Sequence, residues 1–214
     1  LALACASHSG AGMHVTRVAG WLDALGLAER DLRCGSQVPD DAAERHRLRD
    51  TGESPCQLHN NCSGKHAGFL MLNRHLKGGP EYVEIDHPVQ VAARTAFEEM
   101  CGAPILGWGV DGCSAPAFVT TLRGFGTAMA RMADPRGLGP ARQDAAQRLV
   151  AAMAEHPLLV AGEGRACSEL MAAMPGGVAV KTGAEAVFAA ILPGRGLGVA
   201  VKVEDGSTRG SECA

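Results

Sequence analysis

Between Gly177 and Gly206 the sequence abandons helical spacing for three apolar, β-prone runs, GVAVKTG, AEAVFAAILPG and LGVAVKVEDG. The last two are separated by the turn signal Pro193-Gly-Arg-Gly196, so the three runs predict an antiparallel meander. A meander with apolar faces must be covered, and most of the chain before it reads as helix. The predicted architecture is therefore α+β: one antiparallel-rich sheet flanked by helices, not a regular βαβ alternation.

The helical spacing is readable in detail. Val15, Val18, Trp21, Leu22 and Leu25 recur on one helix face before Gly26 closes it, and DDAAERHRLRD is polar and helix-prone. From Ser63 to Leu76, the residues Ala67, Leu70, Met71 and Arg74 follow the i, i+3, i+4, i+7 rule, with GG ending the helix at Gly78. Asp86-His-Pro88 reads as an N-cap with proline in the first turn of PVQVAARTAFEEM. PILGWGVDGCSAP reads as strand and loop. Further helices are predicted around FVTTLRGFGTAMARMA, ARQDAAQRLVAAMAEH and CSELMAAM, while LALACA at the start reads as a buried strand.

Composition narrows the partners. A formal charge of −3 offers no footprint for nucleic acid or an anionic membrane, and no apolar stretch approaches the roughly 20 residues of a membrane span. The eight cysteines show no C-x-x-C spacing in a chain of 214 residues, long enough for a real core. They are expected to be free thiols in a reducing cytoplasm. Both ends read as cut: Leu1 lies inside an apolar segment, and STRGSECA stops where a helical pattern could begin.

Four stretches concentrate chemistry. In HNNCSGKHAGFL (59–70), Cys62 sits at a predicted helix start, where the dipole and free N–H groups lower a thiol pKa. Lys65 and His66 lie one turn on and can point the same way. Cys62 could be nucleophile or metal ligand, or Asn61 or Ser63 could simply cap the helix. In VDGCSAP, Cys113 lies near Asp111, and thiols from two loops could share a Zn²⁺, although sequence separation neither supports nor forbids this. Ser7, in ASHSG, lies in a turn where a nucleophile is commonly exposed; an ordinary cap is the alternative. In VKTGAE, a desolvated Lys181 could serve as a base towards a serine.

Taken in order, ASHSG (6–10), HNNCSGKHAGFL (59–70), DHPVQ (86–90), WGVDGC (108–113), HPLLVAGEGR (156–165) and KTGAEAVF (181–188) resemble the bacterial L-asparaginase II family, whose fold is similar to serine β-lactamases and glutaminases. The resemblance implies hydrolysis of L-asparagine to L-aspartate and ammonia by a single domain over residues 1–214. It places Ser7 and Lys181 as one of two serine–lysine pairs and Cys62, Lys65 and Cys113 as zinc ligands. It also places Asp111 and His66 beside the substrate and implies a homodimer.

On this resemblance the chain is expected to lack the family's S-x-x-K, which carries the primary nucleophile and lies upstream of the segment matched by LALACASHSG, leaving Ser7 and Lys181 as the supporting pair, and to lack the family's C-terminal end. Ala11 stands where the family usually has an acidic residue, which implies altered substrate contacts. Two rivals follow: a glutaminase or β-lactamase-like hydrolase, and a truncated, inactive relative that keeps metal binding or dimerisation.

Overall fold

A computed structural model of the chain describes residues 1–207. Its helices are α1 (Gly12–Ala24), α2 (Ala42–Thr51), α3 (Ser63–Leu76), α4 (Pro88–Cys101), α5 (Leu122–Ala133), α6 (Pro140–Glu155), α7 (Pro157–Val160) and α8 (Ala166–Ala173). The strands are β1 (Gly107–Val110), β2 (Pro116–Val119), β3 (Ala179–Gly183), β4 (Val187–Leu192) and β5 (Leu197–Lys202). Cys213 and nearly all of STRGSECA lie outside the described residues.

The meander forms as expected: β3, β4 and β5 are antiparallel neighbours, with Lys181 opposite Ala189 and Ala189 opposite Ala200. Helices cover it. α5 lies so close on β5 that a Cβ at Gly198 would stand 2.0 Å from the backbone nitrogen of Ala130, so only glycine fits there. Val150, Met153, Val160, Met171, Val180 and Ile191 form the core beneath this layer. A second core, around Val18, Leu22, Leu70, Tyr82 and Val89, joins α1, α3 and α4.

The strands do not form one sheet. Among the described residues, β1 and β2 pair only with each other, through the turn that carries Asp111 and Cys113. The predicted helix beginning at FVTT is also shorter, because Pro116–Val119 is strand and Thr121 caps α5 by accepting from the Gly124 N–H. The cap of α4 is His87, not Asp86; its ring accepts from the Val89 N–H. α3 ends at Lys77, whose φ of 54° supplies the left-handed cap expected of the glycines that follow.

LALACA is not a strand. Residues Ala2–Cys5 form a short 3-10 turn, and none of the described strands pairs with it. An all-apolar run reports burial without reporting period. Ala2 enters one core and Leu3 the other. α3 crosses this turn in direct contact: a Cβ on Gly64 would lie 2.3 Å from the Leu3 carbonyl oxygen. The extended segment begins one step later, at Ser7.

Candidate active site

Ser7, His8 and Ser9 alternate as a strand would. The N–H groups of Ser7 and Ser9 donate to the carbonyls of Val160 and Ala161, at 3.0 and 2.8 Å, while that of His8 donates the other way, to Asn61 at 3.1 Å. Gly10 then turns the chain with φ 72°, where a Cβ would stand 2.7 Å from the His59 carbonyl oxygen and 2.9 Å from Pro39. This fastens Ser7 between the end of α7 and the loop that starts α3.

Lys181, in the middle of β3, reaches back to that segment. Its Nζ donates to the Ser7 Oγ at 2.6 Å and to the carbonyl of Thr182 at 2.7 Å. Burial holds the Lys181 pKa below that of an ordinary lysine, against the opposing pull of the thiols of Cys167 and Cys62. An amine that sheds its proton more easily, hydrogen-bonded to a hydroxyl, is equipped to act as a base towards it.

The second group of side chains comes from α3 and the β1–β2 turn. Cys62 stands at the N-cap position of α3, its N–H bonded to Asn60 Oδ1 at 2.9 Å, and Lys65 follows within the first turn. Lys65 Nζ donates to Cys113 Sγ at 3.1 Å and lies 3.7 Å from Asp111 Oδ2. The Cys113 thiol donates to Asp111 Oδ2 at 3.3 Å. Ser114, at φ 68°, turns the chain there. The ligating atoms of Cys62, Asp111 and Cys113 all lie within 4.8 Å of one another.

Two thiols this close titrate as a pair. The adjoining Cys113 side chain, outweighing burial and helped by Lys65, draws the Cys62 thiol down to about 7. The Cys62 sulfur and burial push Cys113 up to about 12. Burial opposes charge on Lys65, but Cys62, Cys113 and Asp111 outweigh it and hold the ammonium above its usual range. Burial likewise works against the Asp111 carboxylate, yet Cys113 and Lys65 keep its pKa below the ordinary value. The arrangement is one ammonium among an easily ionised thiol, a reluctant one and a carboxylate.

Ser7, Lys181, Cys62, Lys65, Asp111 and Cys113 line one cavity of about 1220 Å³. His66 does not line it. It is fully buried on the core side of α3, its Nδ1 2.8 Å from the Tyr82 hydroxyl and its ring edge-on to Phe69 and Tyr82, and it favours the ionised form of Cys113 from behind.

Sequence reasoning missed the residues that hold the two groups together. His8, Asn60, Ser63 and Tyr82 are buried polar side chains. The polar density of S-H-S-G and H-N-N-C-S hints at the first three, while nothing local marks Tyr82, because their partners lie far away in sequence. A search of curated proteins found no match. Among models of protein families, that of L-asparaginase II matches the chain over residues 1–214.

Proposed function

The chain belongs to the L-asparaginase II family, and from that premise we propose that it hydrolyses L-asparagine to L-aspartate and ammonia by serine–lysine acyl-enzyme chemistry. The observation that carries this reading is the 2.6 Å contact between Lys181 Nζ and Ser7 Oγ at the wall of a cavity large enough for a small amide. With Lys181 neutral, the hydrogen of the Ser7 hydroxyl runs towards Nζ. The nucleophile in this reading is the serine of the family's S-x-x-K, which gives up its proton through the supporting Ser7–Lys181 pair as it attacks the side-chain amide carbon. The lysine ammonium so formed returns the proton to the departing nitrogen, which leaves as ammonia, and water then cleaves the acyl-enzyme ester to aspartate. Asp111, ionised and lining the cavity, takes the substrate's amino group, and His66 supports that wall from behind Cys113.

The donor set fits a borderline-soft ion such as zinc: Cys62 and Cys113 supply sulfur, Lys65 nitrogen and Asp111 oxygen, with no change of fold needed to converge. When bound, the ion supplies positive charge to fix and polarise an anionic or carbonyl group of the substrate. Lys65 must lose its proton to join the set. The three cavity-facing neighbours that stabilise this proton are also the groups whose charge an ion would neutralise. A homodimer is part of the same reading, supported by the exposed apolar side chains of the β1–β2 hairpin, Leu106, Trp108, Val110 and Val119. A cytoplasmic location belongs to the same reading, which treats the buried cysteines Cys34, Cys101 and Cys167 as small hydrophobes of the core.

The converged thiols favour a second reading, a metal-binding or dimerising protein without turnover. Purified chain incubated with asparagine, glutamine and a chromogenic β-lactam separates the readings. Ammonia release from asparagine with an inert β-lactam supports the asparaginase. Stoichiometric zinc without turnover of any substrate supports the second reading, and turnover of glutamine or the β-lactam alone overturns the substrate assignment.

A further inference from the structure

The serine–lysine pair and the thiol cluster come from segments distant in sequence, and His8 connects them. Its imidazole is 1% exposed and stacked on that of His14, with centroids 4.5 Å apart and planes 13° from parallel. The Nε2 of His14 in turn donates to the Leu158 carbonyl at 2.8 Å, so the stack is anchored from behind. The backbone N–H of Gly10 donates to His8 Nδ1 at 3.1 Å, which makes Nδ1 the unprotonated nitrogen of a neutral ring. Nε2 then carries the hydrogen and points it at Ser63 Oγ, 3.0 Å away. Ser63 spends its own hydrogen on the Leu58 carbonyl at 3.0 Å. Every donor and acceptor in this chain runs one way, and reversing any link strands a buried polar group.

The two ends of that chain are chemically informative. At one end, His8 is bonded through its peptide to Ser7. At the other, Ser63 follows Cys62 and opens the first turn of α3, which also carries Lys65. We propose that His8 is a positioning residue, whose neutral imidazole fixes the Ser7–Lys181 pair at a set distance from the Cys62, Lys65 and Cys113 cluster so that both act on one bound substrate. It touches neither substrate nor ion; it acts through Ser63. This proposal rests on the reading of those two groups as one site.

The test uses the full chain with His8→Asn, Ser63→Ala, their double variant and His8→Gln. Asparagine in place of His8 keeps an acceptor for the Gly10 N–H but cannot reach Ser63, whereas glutamine reaches Ser63 with a donor. His8→Asn and Ser63→Ala should each lower kcat about tenfold or more with KM within about twofold, since misplacement of a supported group is felt mainly in the transition state. Each should also weaken zinc binding about tenfold, as loss of an outer hydrogen bond typically does. The double variant should be no worse than either single one, and His8→Gln should recover most of both losses. Hydrogen exchange without zinc or asparagine should show Ser7–Gly10 and Cys62–His66 loosening together in His8→Asn and Ser63→Ala and tightening again in His8→Gln. Losses that add in the double variant, failure of glutamine to rescue, or loosening of one segment alone would overturn the proposal. A parent chain that releases no ammonia from asparagine defeats the asparaginase reading instead, and zinc affinity and exchange then decide the role of His8.

Discussion

Ser7 and Lys181 are 174 residues apart in the chain and 2.6 Å apart in space, the hydroxyl of one accepting a hydrogen bond from the amine of the other. One partner is held by backbone bonds to the end of α7 and the other by the pairing of β3 with β4 in the meander. Neither depends on a flexible loop for its place.

Replacing Lys181 with methionine removes the base while keeping most of the apolar stem. Ammonia release from asparagine should fall by about 10²–10⁴-fold, the range typical of a lost proton-transfer group. Ser7→Ala should fall within the same range, and the double variant should lose no more than the worse single one. Unchanged rates in either would remove the pair from the reaction.

Zinc stoichiometry, measured by metal analysis after dialysis, should drop in Cys62→Ser and in Cys113→Ser. Because the first proton leaves the thiol pair at about 7, affinity should also weaken as the pH is lowered below neutrality. Equal zinc content in parent and both variants would exclude these cysteines as ligands.

Gly64→Ala should destabilise the fold by about 1–3 kcal/mol, the usual result of forcing a methyl into filled space. The added carbon would meet the Leu3 carbonyl, which is backbone and cannot swing aside. Urea unfolding measures the loss. A neutral result would mean that α3 and the Ala2–Cys5 turn separate at little cost.

Burial, reinforced by His14, His59 and Lys181, lowers the His8 pKa from 6.5 to about 3. The unfolded chain therefore binds this proton more readily than the folded one. The stability that His8 contributes is complete above about 6.5 and drains away as the pH falls through the window from 6.5 to about 3. His14, also held below its ordinary value by burial, acts in the same direction. Urea midpoints across this window should decline, and His8→Asn, which has no proton to take up, should decline less steeply.

What could be read from the letters was whatever repeats locally. The bounds of α3, Ser63 to Leu76, follow from apolar spacing, and the three strands of the meander follow from their change of period and a proline-glycine turn. LALACA carried no such information, since six consecutive small or apolar residues suit any buried backbone. The division of the strands into a hairpin and a meander was equally invisible, because pairing partners are a matter of tertiary placement. The Cys62–Cys113 and Ser7–Lys181 juxtapositions were expected through family resemblance, not through spacing. His66 shows the limit of helical logic. It shares a turn with Cys62 and Lys65 yet faces Tyr82, because an imidazole one position past the cavity-facing lysine already lies on the core side of α3.

The backbone bond from Ser7 to Val160 carries one more implication. A serine that forms an ester with its substrate commonly uses its own amide to cradle the negative oxygen of the tetrahedral intermediate. The Ser7 amide is already committed to a carbonyl, so this residue has lost the nearest half of an oxyanion hole. Its hydroxyl is thereby better suited to ferrying hydrogen than to carrying the acyl group.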